Sequence, residues 1–215
     1  MLSLQNYSVL RDDVILFQPV SQEMKAGELW VIRGENGRGK TTLLRALAGI
    51  YQEFQGEAKW NLAQVQNLLF LGHKLGIHSA LTVEENLELL CGTLGFSYDR
   101  QLLQELLDQF KMGLYEETLA ARVSAGQFRK IALCLLFHPE AQHRPWLLDE
   151  PFTSLDADTT KLIEKKCLAH INNGQCILMT SHQPLLLESM QSSVKELYLH
   201  AVTEASVDSF MENRA

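Results

Sequence analysis

Apolar residues along this chain fall into short runs divided by polar turns, and their period changes twice. Residues 2–17 alternate apolar and polar (Leu2, Leu4, then Val14 to Phe17), which predicts an antiparallel hairpin or meander. Glu28 to Arg33, ELWVIR, is a short apolar strand that runs directly into a glycine-rich turn. Beyond the turn, TTLLRALAG sets leucines and alanines at helical spacing and stops at Gly49, a residue suited to a helix C-terminus. Asn67 to Leu71 reads as a further strand.

The middle of the chain is helical. Thr82 with Glu85 forms a capping box that opens a helix through about Cys91. From Asp99, the spacing of Leu102, Leu103, Leu106, Leu107 and Phe110 predicts an amphipathic helix. A third helix follows Gly126, with Ile131, Ala132, Leu133 and Leu135 on or near its buried side. This block, residues 73–140, interrupts a strand–helix alternation. The alternation resumes with the strand Trp146 to Asp149, a helix from about Ala157 to His170 and the strand Cys176 to Thr180. Glu196 to Val202 predicts a last strand. The expected architecture is an α/β core with a helical insertion, in one domain: 215 residues supply one substantial core and fall short of two.

Composition narrows the function. With 46% hydrophobic and 21% charged residues the chain is globular and not disordered. A formal net charge of -7 gives no general attraction to nucleic acid or anionic lipid, so any phosphate binding must be local. Cys91, Cys134, Cys167 and Cys176 are spread through apolar contexts without a CxxC or CxxCH, which predicts buried reduced thiols and suggests neither zinc nor covalent haem attachment. The start, MLSLQNYSVLRDD, lacks the basic and apolar regions of a signal peptide, and no stretch approaches the roughly 20 apolar residues of a membrane helix. The expectation is a cytoplasmic protein that meets a membrane only through partners and binds no nucleic acid.

Two segments carry chemistry. Gly34-Glu35-Asn36-Gly37-Arg38-Gly39-Lys40-Thr41 fits G-x-x-x-x-G-K-[ST] between a predicted strand and a predicted helix. Its glycines let backbone N–H groups from about Asn36 to Thr42 turn inward around an anion, where the helix N-terminus adds its dipole. Lys40 then reaches the β- and γ-phosphates of ATP, and the Thr41 hydroxyl ligates Mg²⁺. The second segment is Trp146-Leu147-Leu148-Asp149-Glu150-Pro151, a buried strand with two carboxylates at its C-terminal end, where α/β folds hold their ligands. Asp149 is suited to hold Mg²⁺ through water, and Glu150 to polarise an attacking water as general base.

With these in place the chain resembles the ATPases of ABC transporters. Ser124-Ala125-Gly126-Gln127, followed by a basic amphipathic helix, looks like the family's signature motif, which usually has glycine where Ala125 stands. Ser154-Leu155-Asp156 matches its D-loop and Ser181-His182 its switch histidine. The resemblance implies a P-loop NTPase core, residues 1–72 and 141–215, with an antiparallel β subdomain and an inserted helical signature subdomain. It also implies a homodimer associated head to tail, in which Ser124 and the Gly126 N–H of one subunit face the γ-phosphate bound by the other. His182 would contact that phosphate and orient it with the catalytic water.

Two positions depart from the family. Where most members have a glutamine that bonds the attacking or Mg²⁺-bound water, the count back from Leu81-Thr82-Val83 falls on His73. For the aromatic that stacks on adenine, this chain offers Arg11, by its guanidinium plane, or Phe17. Leu71 to Ile77, Leu81 to Leu87, the SAGQ signature and LDEPFTSLD (148–156) are similar to the haem-exporter ATPases of bacterial cytochrome c maturation. That similarity implies integral-membrane permease partners and a peripheral position on the cytoplasmic face of the bacterial inner membrane. A different ABC transporter, for a lipid, peptide or metal, is the alternative. A soluble ABC ATPase acting on DNA or ribosomes is disfavoured, since such proteins carry coiled-coil insertions or tandem cassettes. His73, His78 and the cysteines are isolated and are not read as haem ligands.

Overall fold

Strands that are apolar at every position belong in a sheet covered on both faces, whereas alternating strands face water on one side. Both kinds occur in the computed structural model, which describes residues 2–60, 68–73, 75–191 and 194–202. The alternating N-terminal segment forms β1 (Leu2–Arg11), β2 (Val14–Ile15) and β3 (Val20–Met24). The next strand, β4 (Leu29–Arg33), leads into α1 (Lys40–Leu47), and β5 (Phe54–Trp60) then returns to pair with β1. These pairings make a four-stranded antiparallel sheet in which β1 is central and β4 takes no part.

The wholly buried strand β4 instead belongs to a five-stranded parallel sheet. Its companions are β6 (Leu69–Leu71), β7 (Trp146–Asp149), β8 (Ile177–Thr180) and β9 (Val194–Tyr198), in the order β6-β7-β8-β4-β9. Between β6 and β7 lie α2 (Val83–Leu94), α3 (Arg100–Gln109) and α4 (Ala125–Leu133); α5 (Ala157–Asn172) joins β7 to β8, and the short α6 (Glu188–Gln191) precedes β9.

Alternate side chains of the central strands enter two separate cores. Trp30, Ile32, Leu147 and Leu178 pack with Leu43, Leu44 and Leu47 of α1 and with Leu4, Tyr7 and Val9 of β1. On the opposite face Leu29, Val31, Trp146, Leu148, Ile177 and Met179 join Leu87 of α2, Leu106 of α3, Ile131 of α4 and Ile163 of α5. The helical block therefore shares its core with one face of the parallel sheet. The four cysteines are free and buried in these cores, as expected. Among the described residues, no helix is long and apolar enough to cross a membrane.

Several expectations need adjustment. Strands β3 and β5 escape a hydrophobic pattern because most of their residues are exposed or half-buried at the rim of the antiparallel sheet. The last strand begins at Val194 and stops at Tyr198, two residues ahead of the expected Glu196 and short of Val202. The helix expected after Gly126 starts at Ala125, because Ser124 caps it in a reciprocal box with Gln127. The predicted box of Thr82 and Glu85 is present, and its helix runs to a left-handed Gly95. Asn67 and Lys74, within predicted segments, lie outside the described residues.

At the foot of β7, His170 of α5 stacks on Trp146 with ring centroids 3.6 Å apart, and its Nε2 donates to the Arg144 carbonyl at 2.9 Å. Its Nδ1 is buried without a partner, so the ring must stay neutral. Burial pushes its pKa down from 6.5 to about 4. The unfolded chain therefore binds the proton first: the stabilisation is present above about pH 6.5 and is lost as the pH falls toward about 4. His170→Phe, which keeps a stacked ring and cannot titrate, is expected to lose less melting temperature than the wild type between pH 7 and 5, measured by circular dichroism.

Candidate functional site

The carboxyl ends of β4, β7 and β8 converge on one edge of the parallel sheet, because parallel strands all end on the same side. The turn leaving β4 passes through Gly34, Gly37 and Gly39, all at positive φ, before α1 begins. Gly39, which precedes α1, has φ +86°, a left-handed geometry that a side chain would strain; Leu16 and Phe17 crowd the space where its Cβ would go. Lys40 opens α1, and its Nζ folds back onto the carbonyls of Gly34 and Glu35 at 2.7 and 3.0 Å. Burial lowers its pKa, while the nearby Glu150 and Asp149 carboxylates oppose that shift. Glu35 and Arg38 form an ion pair over the same loop.

Cross-strand register builds the neighbouring half of the site. Asp149 and Thr180 are partners at the ends of β7 and β8. The Thr180 hydroxyl donates to Asp149 Oδ1 at 2.7 Å and accepts from the Glu150 N–H at 2.9 Å. Thr41 of α1 donates to the same Asp149 oxygen at 3.1 Å. Asp149 is 1% exposed, and its other oxygen, Oδ2, is buried without a hydrogen-bond partner. A buried anionic oxygen costs free energy unless it is compensated. Beside a hydroxyl and a phosphate loop, that donor set suits a hard divalent cation such as Mg²⁺, which takes oxygen ligands and retains waters.

Glu150 leaves β7 with φ +52°. Its Oε2 accepts the His182 N–H at 3.2 Å, and Oε1 lies 3.5 Å from His182 Nε2. His182 itself follows β8 on a segment held by Arg33, whose Nη1 donates to the Ser181 carbonyl at 2.7 Å. The result is a cleft of about 250 Å³, lined by Arg11, Asn36, Gly37, Arg38, Gly39, Lys40, Thr41, Thr42, Asp149, Glu150, Thr180 and His182. It offers backbone and cationic donors at one end and carboxylates at the other, the chemistry needed to hold a phosphate chain beside a water.

Most of the candidate residues are brought together here, and a few are not. Arg11, at the end of β1, lies on the rim, with its Nη2 donating to Thr42 Oγ1 at 3.3 Å. The alternative stacking residue, Phe17, is wholly buried in the core beneath Gly39, so it has no free ring face to offer adenine. Gly34 and Glu35 belong to the loop without lining the cleft. Ser124, Ala125, Gly126 and Gln127 lie outside the lining, at the start of α4. There Gly126 packs on the Ser154 carbonyl so closely that a Cβ would come within 2.5 Å of it. His73 is exposed just beyond β6, at the same sheet edge but apart from the cleft residues.

Two residues were missed in the sequence. Thr180 ends an apolar run beside the Ser-His pair, and only its register opposite Asp149 reveals its use. Arg129, on α4, is buried and donates to the carbonyl oxygen of Glu150.

Known proteins share the sequence and the fold of this chain. The ABC transporter family profile matches residues 17–153. The chain is 36% identical over 208 residues to the cytochrome c biogenesis ATP-binding export protein CcmA of Photobacterium profundum, covering 88% of this chain and 95% of that protein. It is also 36% identical over 198 residues to the protein of that name in Vibrio cholerae, covering 88% and 94%. In fold it is similar to an ABC transporter ATP-binding protein of Pyrococcus furiosus, with a TM-score of 0.74 at 18% identity over 94% of this chain and 99% of that one. A family profile that spans residues 17–153, with relatives 36% identical that cover 88% of the chain, makes this chain a member of the ABC transporter ATP-binding family.

Proposed function

We propose that this protein hydrolyses ATP as the nucleotide-binding subunit of an ABC transporter that serves cytochrome c biogenesis, with haem export or handover as the work it drives. The observation that carries the catalytic reading is the orphaned Asp149 oxygen beside Thr41 and the phosphate loop, with Glu150 at the mouth of the same cleft. The biological assignment is supported by relatives whose names specify cytochrome c biogenesis and export and whose length this chain nearly spans.

In this reading the backbone N–H groups of Asn36 to Thr42 and the Lys40 ammonium bind the phosphate chain. Thr41 and Asp149 would hold Mg²⁺, which when bound supplies Lewis-acid neutralisation of phosphate charge. Glu150 accepts a proton from the attacking water, ATP giving ADP and phosphate. His182 orients the γ-phosphate and that water, and Arg11 lies against the nucleotide base. His73, at the sheet edge beside the cleft, stands at the sequence position of the family's glutamine and would bond a water that reaches it. Residues 73–140 serve as the signature subdomain against the core made by the rest of the chain. The capped start of α4, Ser124 to Gln127, completes the site of a second copy in a head-to-tail homodimer. Integral-membrane permease subunits hold that dimer at the cytoplasmic face of the bacterial inner membrane.

Lys40→Ala removes a charge-assisted partner of the phosphates and is expected to weaken MgATP binding by about tenfold or more, read by fluorescent-nucleotide titration. Near-normal affinity would remove the phosphate-loop assignment. Glu150→Gln keeps the shape of the site and loses the base, so turnover is expected to fall by about a hundredfold or more while MgATP binding persists and a dimer accumulates on gel filtration. The same variant, tagged and recovered from native membranes in mild detergent with MgATP, should bring down cytochrome c maturation membrane proteins. Recovery of an unrelated permease instead would retain the ATPase and discard the haem assignment. Thr180→Val deletes the hydroxyl between Asp149 and Glu150 at nearly constant volume and is expected to lower kcat by about tenfold, the effect of one or two lost buried hydrogen bonds.

A further inference from the structure

Arg129 lies two residues beyond the signature stretch, and the mechanism above leaves it without a task. It is 6% exposed, an uncommon state for a guanidinium unless its donors are well partnered. It donates to the carbonyl oxygen of Glu150, across 21 residues of chain. Two neighbours on the same helix act on the same loop. Gly126 abuts the Ser154 carbonyl, and Lys130 Nζ pairs with Asp156 Oδ2 at 2.8 Å. Positions 126, 129 and 130 share one helix face, so a single face of α4 meets residues 154, 150 and 156.

The grip falls where the backbone most needs it. Glu150 has φ +52°, a conformation that disfavours a side chain, so its surroundings must hold it there. The Thr180 hydroxyl holds the N–H side of this residue and Arg129 the carbonyl side. A peptide fixed at both ends fixes the direction in which its side chain leaves. Burial lowers the pKa of this guanidinium, and the nearby Asp149 and Glu150 carboxylates oppose that shift.

We propose that Arg129 is a positioning residue: by clamping the Glu150 peptide it ties the orientation of the signature helix to the aim of the general base. The inference rests on the function proposed above. It deepens that function, because in a head-to-tail pair the helix start that faces one nucleotide is then linked, within its own chain, to the carboxylate that serves the other.

The test uses the purified full chain and MgATP, with Arg129→Gln, Arg129→Lys, Ser124→Ala and the double variant of Arg129→Gln with Ser124→Ala. Arg129→Gln is expected to lower kcat by about tenfold or more while KM and fluorescent-nucleotide affinity stay within about twofold. Arg129→Lys, which retains a charged donor, should recover several-fold of the loss. Ser124→Ala should cost less kcat in the Arg129→Gln background than alone, because the link is already cut. A kcat for Arg129→Gln within about twofold of wild type overturns the proposal. So does an equal loss in the Gln and Lys variants that follows a fall in melting temperature, since Arg129 would then only fill space. Additive effects of the two changes overturn the link to the signature helix. Should the wild type fail to bind MgATP, or Glu150→Gln turn over normally, the reading of the site itself falls and takes the inference with it. With both controls as expected and Arg129→Gln silent, only the inference is lost.

Discussion

Asp149 and Thr180 face each other at the ends of two adjacent parallel strands, and the rest of the site is assembled outward from that pairing. The register brings one hydroxyl within reach of the Asp149 carboxylate and of the Glu150 N–H together. A slip of one residue would turn Asp149 toward the opposite face of the sheet and remove it from Thr41. Strong apolar burial on both faces of the sheet prevents that slip. Trp146 and Leu148 enter one core while Leu147 enters the other, and none of the three can exchange sides without losing its packing.

The electrostatics follow from this confinement. Two carboxylates at a low-dielectric strand end would repel each other if nothing answered them. Two cations do, from different directions: Lys40 from the phosphate loop and Arg129 from the signature helix. Lys40 rests on two loop carbonyls and can leave them for a better acceptor. Arg129 is buried against the Glu150 carbonyl. One cation is the group proposed to meet the phosphates, and the other is the proposed clamp of the frame. His182 is the more exposed partner of Glu150, its side chain 56% accessible against 17%.

Among the described residues, the helical block shares one apolar core with the parallel sheet. Leu87, Leu106 and Ile131 pack in the same apolar cluster as Leu148 and Met179 of the sheet. A shift of α4 is therefore felt at the strand ends, and its contacts at Ser154, Glu150 and Asp156 give that shift three points of action. Close-packed interiors transmit displacement because they have little free volume in which to absorb it.

What the sequence determined by itself was whatever sits in one contiguous stretch. The phosphate loop reads as a strand, a glycine turn and a helix because backbone geometry imposes those residue types locally. The acidic pair is legible because an apolar run ending in two carboxylates has few structural uses, and the Thr82 and Ser124 caps are legible because both partners lie three residues apart. Strands β3 and β5 were not legible, since exposed edges carry no hydrophobic pattern. Phe17 looked as available as Arg11 until packing buried it beneath Gly39. Thr180 and Arg129 acquire their partners only through register and helix packing, at separations of about thirty and twenty residues. Such pairings are decided by the tertiary structure, because a hydroxyl or a guanidinium has no local preference that names its distant acceptor.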